Sequence, residues 1–116
     1  MDVEYPGSGA IVVSGRRFDH DVVICDGIVS ARDKEPSRAR STGGHTPLTA
    51  AEDLPWTQPR LVIGSGHSGR LPIDDDVYAE AESRGVELIV LPTAEACEVL
   101  RDIGPDQANA VLHVTC

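Results

Sequence analysis

The feature that narrows the fold most is the order of patterns from Arg60 onward. Leu61-Val62-Ile63 is a short continuous apolar run, and such a run suits a strand covered on both faces. Asp74 to Asp76 place carboxylates where a helix dipole is positive, which predicts a helix running to about Arg84 and closed by Gly85. Val86 to Leu91 reads as the next strand. A third helix follows, capped by Thr93, with Ala96, Val99, Leu100 and Ile103 on one face and a stop at Gly104-Pro105. Ala110 to Thr115 supplies the last strand. Strand, helix, strand, helix, strand with short connections predicts right-handed parallel crossovers, so the three strand ends should point the same way.

The front half carries a different signal. Ala10 to Val13, the Ser14-Gly15 turn and Arg16 to Phe18 predict a hairpin, and residues 22 to 25 and 28 to 32 predict more antiparallel structure split by Asp26-Gly27. Both central positions of such a turn need positive φ, which Asp and Gly tolerate. The first half therefore reads as an antiparallel meander. Residues 33–46 mix charge, Pro, Ser and paired Gly with no apolar period, the mark of a flexible polar loop. Thr49 and Glu52 have capping-box spacing, which predicts a short turn of helix before Pro55. The expected fold is one α/β domain over residues 1–116, a meander followed by a parallel β-α-β-α-β half, since 116 residues leave no length for a second core.

Composition removes several functions. Aromatic residues make up 3% of the chain, too few for a nucleic-acid stacking platform, and the net charge of -9 repels phosphate backbones and anionic membranes. Nucleic-acid and membrane partners are not expected. Cys25, Cys97 and Cys116 are odd in number and widely spaced, so neither a disulfide framework nor a zinc ribbon is implied, and a reducing, cytoplasmic address fits best. No basic amino-terminal region precedes an apolar run, and no segment approaches about 18 consecutive apolar residues.

Ligands of open parallel sheets bind outside the carboxyl ends of the strands. Here those ends feed Gly64-Ser65-Gly66-His67-Ser68-Gly69, Pro92-Thr93-Ala94-Glu95-Ala96-Cys97, and Cys116. The glycine segment matches G-x-G-x-x-G, in which backbone N–H groups can approach an anion closely. It departs from a dinucleotide fingerprint because Arg70-Leu71-Pro72 separates it from the next helix, so no cofactor is expected. The expected ligand-binding set is Gly64, Ser65, Gly66, His67, Thr93 and Glu95, with the Thr93 helix start offering free N–H donors to a carboxylate, a phosphate or a partner's carbonyl. His67, Cys97 and Cys116 are the candidates for catalysis, since an imidazole titrates near neutrality and a thiolate is a nucleophile. A small hydrophobic role competes for Cys97. Strand parity places His113 with Thr115, and Cys116 with Val114. No metal site is expected: Asp19-His20-Asp21 reads as a solvated turn, and Asp74-Asp75-Asp76 as helix N-terminal charge.

The run Ile11 to Ile24 (IVVSGRRFDHDVVI) resembles the opening of a small Mth-type α/β domain family that includes the adipogenesis-associated protein and mitochondrial NADH dehydrogenase assembly factor three. The likeness continues through Leu61 to Gly66, Gly85-Val86-Glu87, Pro92 to Cys97 and His113 to Cys116. It implies a three-layer fold around a mixed sheet, roles in assembly or regulation, and no shared catalytic set. The family's arginine near Glu95 is absent, because Ala94 and Ala96 flank that residue. Two functions follow as expectations. The first is a binding or assembly module presenting the Gly64–Gly69 and Pro92–Cys97 edge to a protein partner or small anionic ligand. The second is a small enzyme acting on a carboxylate- or phosphate-bearing substrate with His67 and a cysteine thiolate.

Overall fold

The computed structural model describes residues 1–41 and 46–116. In chain order the strands are β1 (Val3–Gly7), β2 (Ala10–Val13), β3 (Arg16–Phe18), β4 (Val22–Cys25), β5 (Ile28–Ala31), β6 (Arg60–Ser65), β7 (Glu87–Leu91) and β8 (Ala108–His113). Helix α1 (Asp75–Arg84) lies between β6 and β7, and α2 (Thr93–Arg101) between β7 and β8.

Both short turns form where the glycines place them. Ser14 and Gly15 have φ of 51° and 79°, and Asp26 and Gly27 have 51° and 81°, the paired positive values of a two-residue hairpin. The antiparallel front half that they build is divided between two sheets. β1, β2 and β3 make a separate antiparallel sheet, and after Phe18 the chain enters a second sheet of order β5-β4-β8-β6-β7. Sequence patterning missed β1, whose VEYPG carries a proline; it is tolerated because β1 is an edge strand.

β6 pairs in parallel with both β7 and β8, whereas β4 runs antiparallel to β8 and to β5. The connection β6-α1-β7 steps outward and β7-α2-β8 steps back across β6, so two crossovers of one hand must lie on opposite faces. The packing agrees. Val77 of α1 sits among Leu61, Ile63 and Val111, while Ala96, Cys97 and Leu100 of α2 sit among Val62, Ala110 and Leu112 with Val3, Ile11 and Val13 of the small sheet. Alternate residues of β6 thus feed two cores, and each fully buried aliphatic side chain contributes about 1.5–3 kcal/mol.

Helix α1 starts and stops as its sequence predicts: the Asp74 carboxylate accepts from the Asp76 N–H, and Gly85 closes it with φ of 68°. Two local expectations are corrected. Thr93 is the first residue of α2 and Pro92 occupies the cap position, because the Thr93 hydroxyl is engaged elsewhere. Thr49 to Glu52 forms a turn and no α-helix: the Thr49 hydroxyl accepts from the Ala51 N–H and pairs with Ser37, and the Glu52 carboxylate is drawn to Arg32. Within the polar loop expected over 33–46, Glu35–Arg40 is a 3-10 helix, and residues 42–45 lie outside the described residues. No helix among the described residues is long and apolar enough to cross a membrane.

Candidate functional site at the carboxyl edge of the sheet

The parallel register brings the ends of β6, β7 and β8 together, with Gly64 opposite both Leu91 and Leu112. Gly66, Thr93 and Cys116 consequently meet. The Thr93 hydroxyl donates to the His113 carbonyl at 2.6 Å and accepts the Gly66 N–H at 2.9 Å, while the Thr93 N–H donates to the Gly66 carbonyl at 3.0 Å. The His67 N–H donates to the Thr115 carbonyl at 2.7 Å, and the Arg70 N–H to the Cys116 carbonyl at 3.1 Å. These amides are engaged by the chain itself. Gly66 has φ of 106°, and a Cβ there would lie 2.5 Å from the Cys116 carbonyl carbon; at Gly64 a Cβ would lie 2.9 Å from the Thr93 hydroxyl. Both glycines are therefore explained by close chain packing.

The remaining residues of the expected site divide by exposure. Ser65 and Thr93 are buried, His67 and Glu95 are exposed, and His67 Nδ1 lies 3.3 Å from the Tyr5 hydroxyl. Cys97 is fully buried under α2, and that burial pushes its thiol up to about 11, which opposes a thiolate role at neutral pH. Cys116 is exposed, as a free thiol, beside a second feature of this edge.

That feature is a buried charge network that sequence reasoning missed. Because Val22 pairs with both Ala31 and Leu112, Asp21 stands opposite Arg32 across the hairpin and beside the end of β8. Arg32 Nε and Nη2 donate to the two oxygens of Glu52, both at 2.8 Å, and Nη1 donates to Asp21 at 3.0 Å. The Arg32 side chain is 1% exposed and that of Glu52 2%. Ser37 donates to Glu52 at 2.6 Å and therefore accepts from the Thr49 hydroxyl, 2.7 Å away. Asp21 takes the Val114 N–H at 2.9 Å on one oxygen and His113 Nδ1 at 2.8 Å on the other. Burial alone would raise the Asp21 carboxyl, but His113, the Val114 N–H and Arg32 outweigh it and hold the group below the usual carboxylate range. Asp21 thus corrects the solvated-turn reading of Asp19-His20-Asp21. Asp74 and Asp76 instead pair with Arg40 at 2.8 and 3.0 Å, and among the described residues no three His, Cys, Asp or Glu side chains are grouped to hold a metal ion.

His113 Nε2 faces the Thr115 hydroxyl at 3.2 Å, as strand parity predicts. Both line a cleft of about 280 Å³ together with Arg32, Lys34, Leu71 and Cys116. The signal that would have revealed this site is the Asp26-Gly27 turn. Counting outward from a two-residue turn pairs 25 with 28 and, four steps on, 21 with 32.

No protein-family model matches the chain, and no curated protein matches it. Solved structures do. The conserved hypothetical protein PH1505 from Pyrococcus horikoshii OT3 is 30% identical, with a TM-score of 0.82 over 100% of both chains. MT938 is 25% identical, with a TM-score of 0.68 over 94% of this chain and 93% of that one. XCC1710 of Xanthomonas campestris shares the fold at 14% identity, with a TM-score of 0.64 over 98% of this chain and 86% of that one. An identity of 30% along the full length of both chains is a relationship of sequence as well as of shape, and this chain belongs to the family of PH1505 and MT938, the Mth938-like hypothetical proteins.

Proposed function

We propose that the protein is a small binding module that takes a carboxylate- or phosphate-bearing ligand at the carboxyl edge of its sheet. The binding surface is the cleft beside β8 rather than the Gly66, His67 and Gly69 amides of the glycine turn, which already have partners. One observation carries this reading. Lys34 is exposed, has no ion-pair partner among the described residues, and lines the same cleft as His113 and the Thr115 hydroxyl. An ammonium and a hydroxyl converging on one hollow suit a compact anion. The net charge of -9 meanwhile disfavours long polyanions. Regulation or assembly would follow from ligand occupancy of a rigid scaffold, in the cytoplasm as the three free thiols suggest.

The test is a titration with inorganic phosphate and with a small dicarboxylate, followed by amide chemical shifts. Shifts confined to residues around Lys34 and Thr115 are expected, with Lys34→Ala weakening binding about 10- to 100-fold, the range for a lost charge-assisted hydrogen bond. Shifts centred on Gly64–Gly69 would return the site to the glycine turn, and no shifts at millimolar ligand would end the proposal.

A further inference from the structure

We infer that Asp21, His113 and Thr115 form a proton relay that makes the Thr115 hydroxyl a nucleophile, giving the cleft an ester-hydrolysing activity. The inference shares the cleft of the proposed anion site but does not require an anion. It starts from hydrogen-bond bookkeeping. A carboxylate can only accept, so the Asp21 oxygen 2.8 Å from His113 Nδ1 fixes the ring proton on that nitrogen. Nε2 is left with its lone pair directed at the Thr115 hydroxyl, 3.2 Å away. Carboxylate, imidazole and hydroxyl are thus chained in the order that general-base activation of an alcohol requires.

Exposure follows the same order. The side chains of Asp21 and His113 are 9% and 13% exposed, and Thr115 is open to the cleft. The backbone that carries the hydroxyl is nevertheless held, because the His67 N–H donates to the Thr115 carbonyl and the Val114 N–H to Asp21. Charge fits as well. Asp21, Glu52 and Arg32 sum to one negative charge, which a transient His113 imidazolium would balance. Glu52 binds Arg32 through two hydrogen bonds, so Arg32 does not by itself cancel Asp21.

The reaction balances with water as the only co-reactant. Thr115 Oγ attacks the ester carbonyl while its proton passes to His113 Nε2, with the Lys34 ammonium in the same cleft to face the developing oxyanion. The tetrahedral adduct collapses, and the departing alcohol takes the proton from Nε2. Water then attacks the acyl group on Thr115, delivering a proton to Nε2, and release of the carboxylic acid returns that proton to the Thr115 oxygen. Thr115 and His113 are the catalytic residues, and Asp21 is a positioning residue that fixes the tautomer.

The experiment uses the whole chain and p-nitrophenyl acetate, a neutral ester, so that its outcome is independent of the phosphate titration. Hydrolysis above buffer is expected, with an acetyl group mapped to Thr115 in quenched samples. Thr115→Val should fall to the buffer rate, Thr115→Ser should retain activity, and His113→Gln should lose about 100-fold or more of the enhancement. Asp21→Asn should lower kcat with little change in KM, which a purely structural role would not do. Wild type no faster than buffer, acetyl found on Cys116 or Lys34 in place of Thr115, or a Thr115→Val variant that folds and remains as active as wild type would each overturn the inference.

Discussion

Replacing Arg32 by methionine isolates the largest electrostatic element of the structure. The substitution keeps an unbranched apolar stem and removes the cation that holds Asp21 and Glu52, whose side chains are 9% and 2% exposed. Two carboxylates would then face each other's neighbourhood with only Ser37, His113 and the Val114 N–H as partners. Breaking a buried pair by deleting one member costs about 3–5 kcal/mol, because the charge left behind lacks compensation. The unfolding entropy of a chain this long is about 0.24 kcal/mol/K, so Tm should drop by roughly 12–20 °C. Differential scanning calorimetry at neutral pH measures it directly. The Glu52→Gln change should cost much less in the Arg32→Met background than alone, with a coupling of about 1–3 kcal/mol in the double-mutant cycle. Acid should narrow the gap between wild type and Arg32→Met by neutralising the stranded carboxylates. An Arg32→Met protein within about 1 kcal/mol of wild type, or additive behaviour in the cycle, would refute the reasoning.

Other perturbations read single contacts. Thr93→Val preserves shape but strips the Gly66 N–H and the His113 carbonyl of their shared partner, and should cost about 1–3 kcal/mol by chemical denaturation. Gly66→Ala combines a φ of 106° with a Cβ 2.5 Å from the backbone of Cys116. The loss should be about 2–6 kcal/mol, and a milder one would mean that the end of the chain moves aside freely. Because the Asp21 carboxyl is depressed in the folded protein, its contribution is complete above the unfolded carboxylate pKa of about 3.9 and disappears as pH falls through the lower native value. Asp21→Asn should therefore flatten the acid limb of a stability-versus-pH curve. In the native protein Cys97 should alkylate only as fast as the structure opens, while exposed Cys116 reacts directly, a contrast that mass spectrometry can time.

The parallel half was legible because each of its pieces has a local cause. Leu61-Val62-Ile63 alternates between two cores, Asp74 to Asp76 meet a helix dipole, and Gly85 is required by a left-handed closing residue. The chain's passage from one sheet to another after Phe18 has no such local mark, since both hairpins look alike in sequence and differ only in what covers them. The charge network was hidden for a related reason. Asp21, Arg32 and Glu52 are types that usually face solvent, and their burial depends on one another across 11 and 20 residues. At the candidate site, the convergence of Gly66, Thr93 and Cys116 followed from strand direction alone. The engagement of their amides did not, because it depends on where Thr115 and Cys116 lie relative to the glycine turn.

The single hydroxyl that bridges Gly66 and His113 has a kinetic consequence for the segment around it. Glycine-rich turns ordinarily exchange their amide hydrogens quickly, yet releasing the Gly66 N–H means parting β6 from β8, an opening close in free energy to global unfolding. In deuterium exchange the Gly66 amide should be as slow as those of the central strands, so that a residue with the composition of a hinge behaves as a weld.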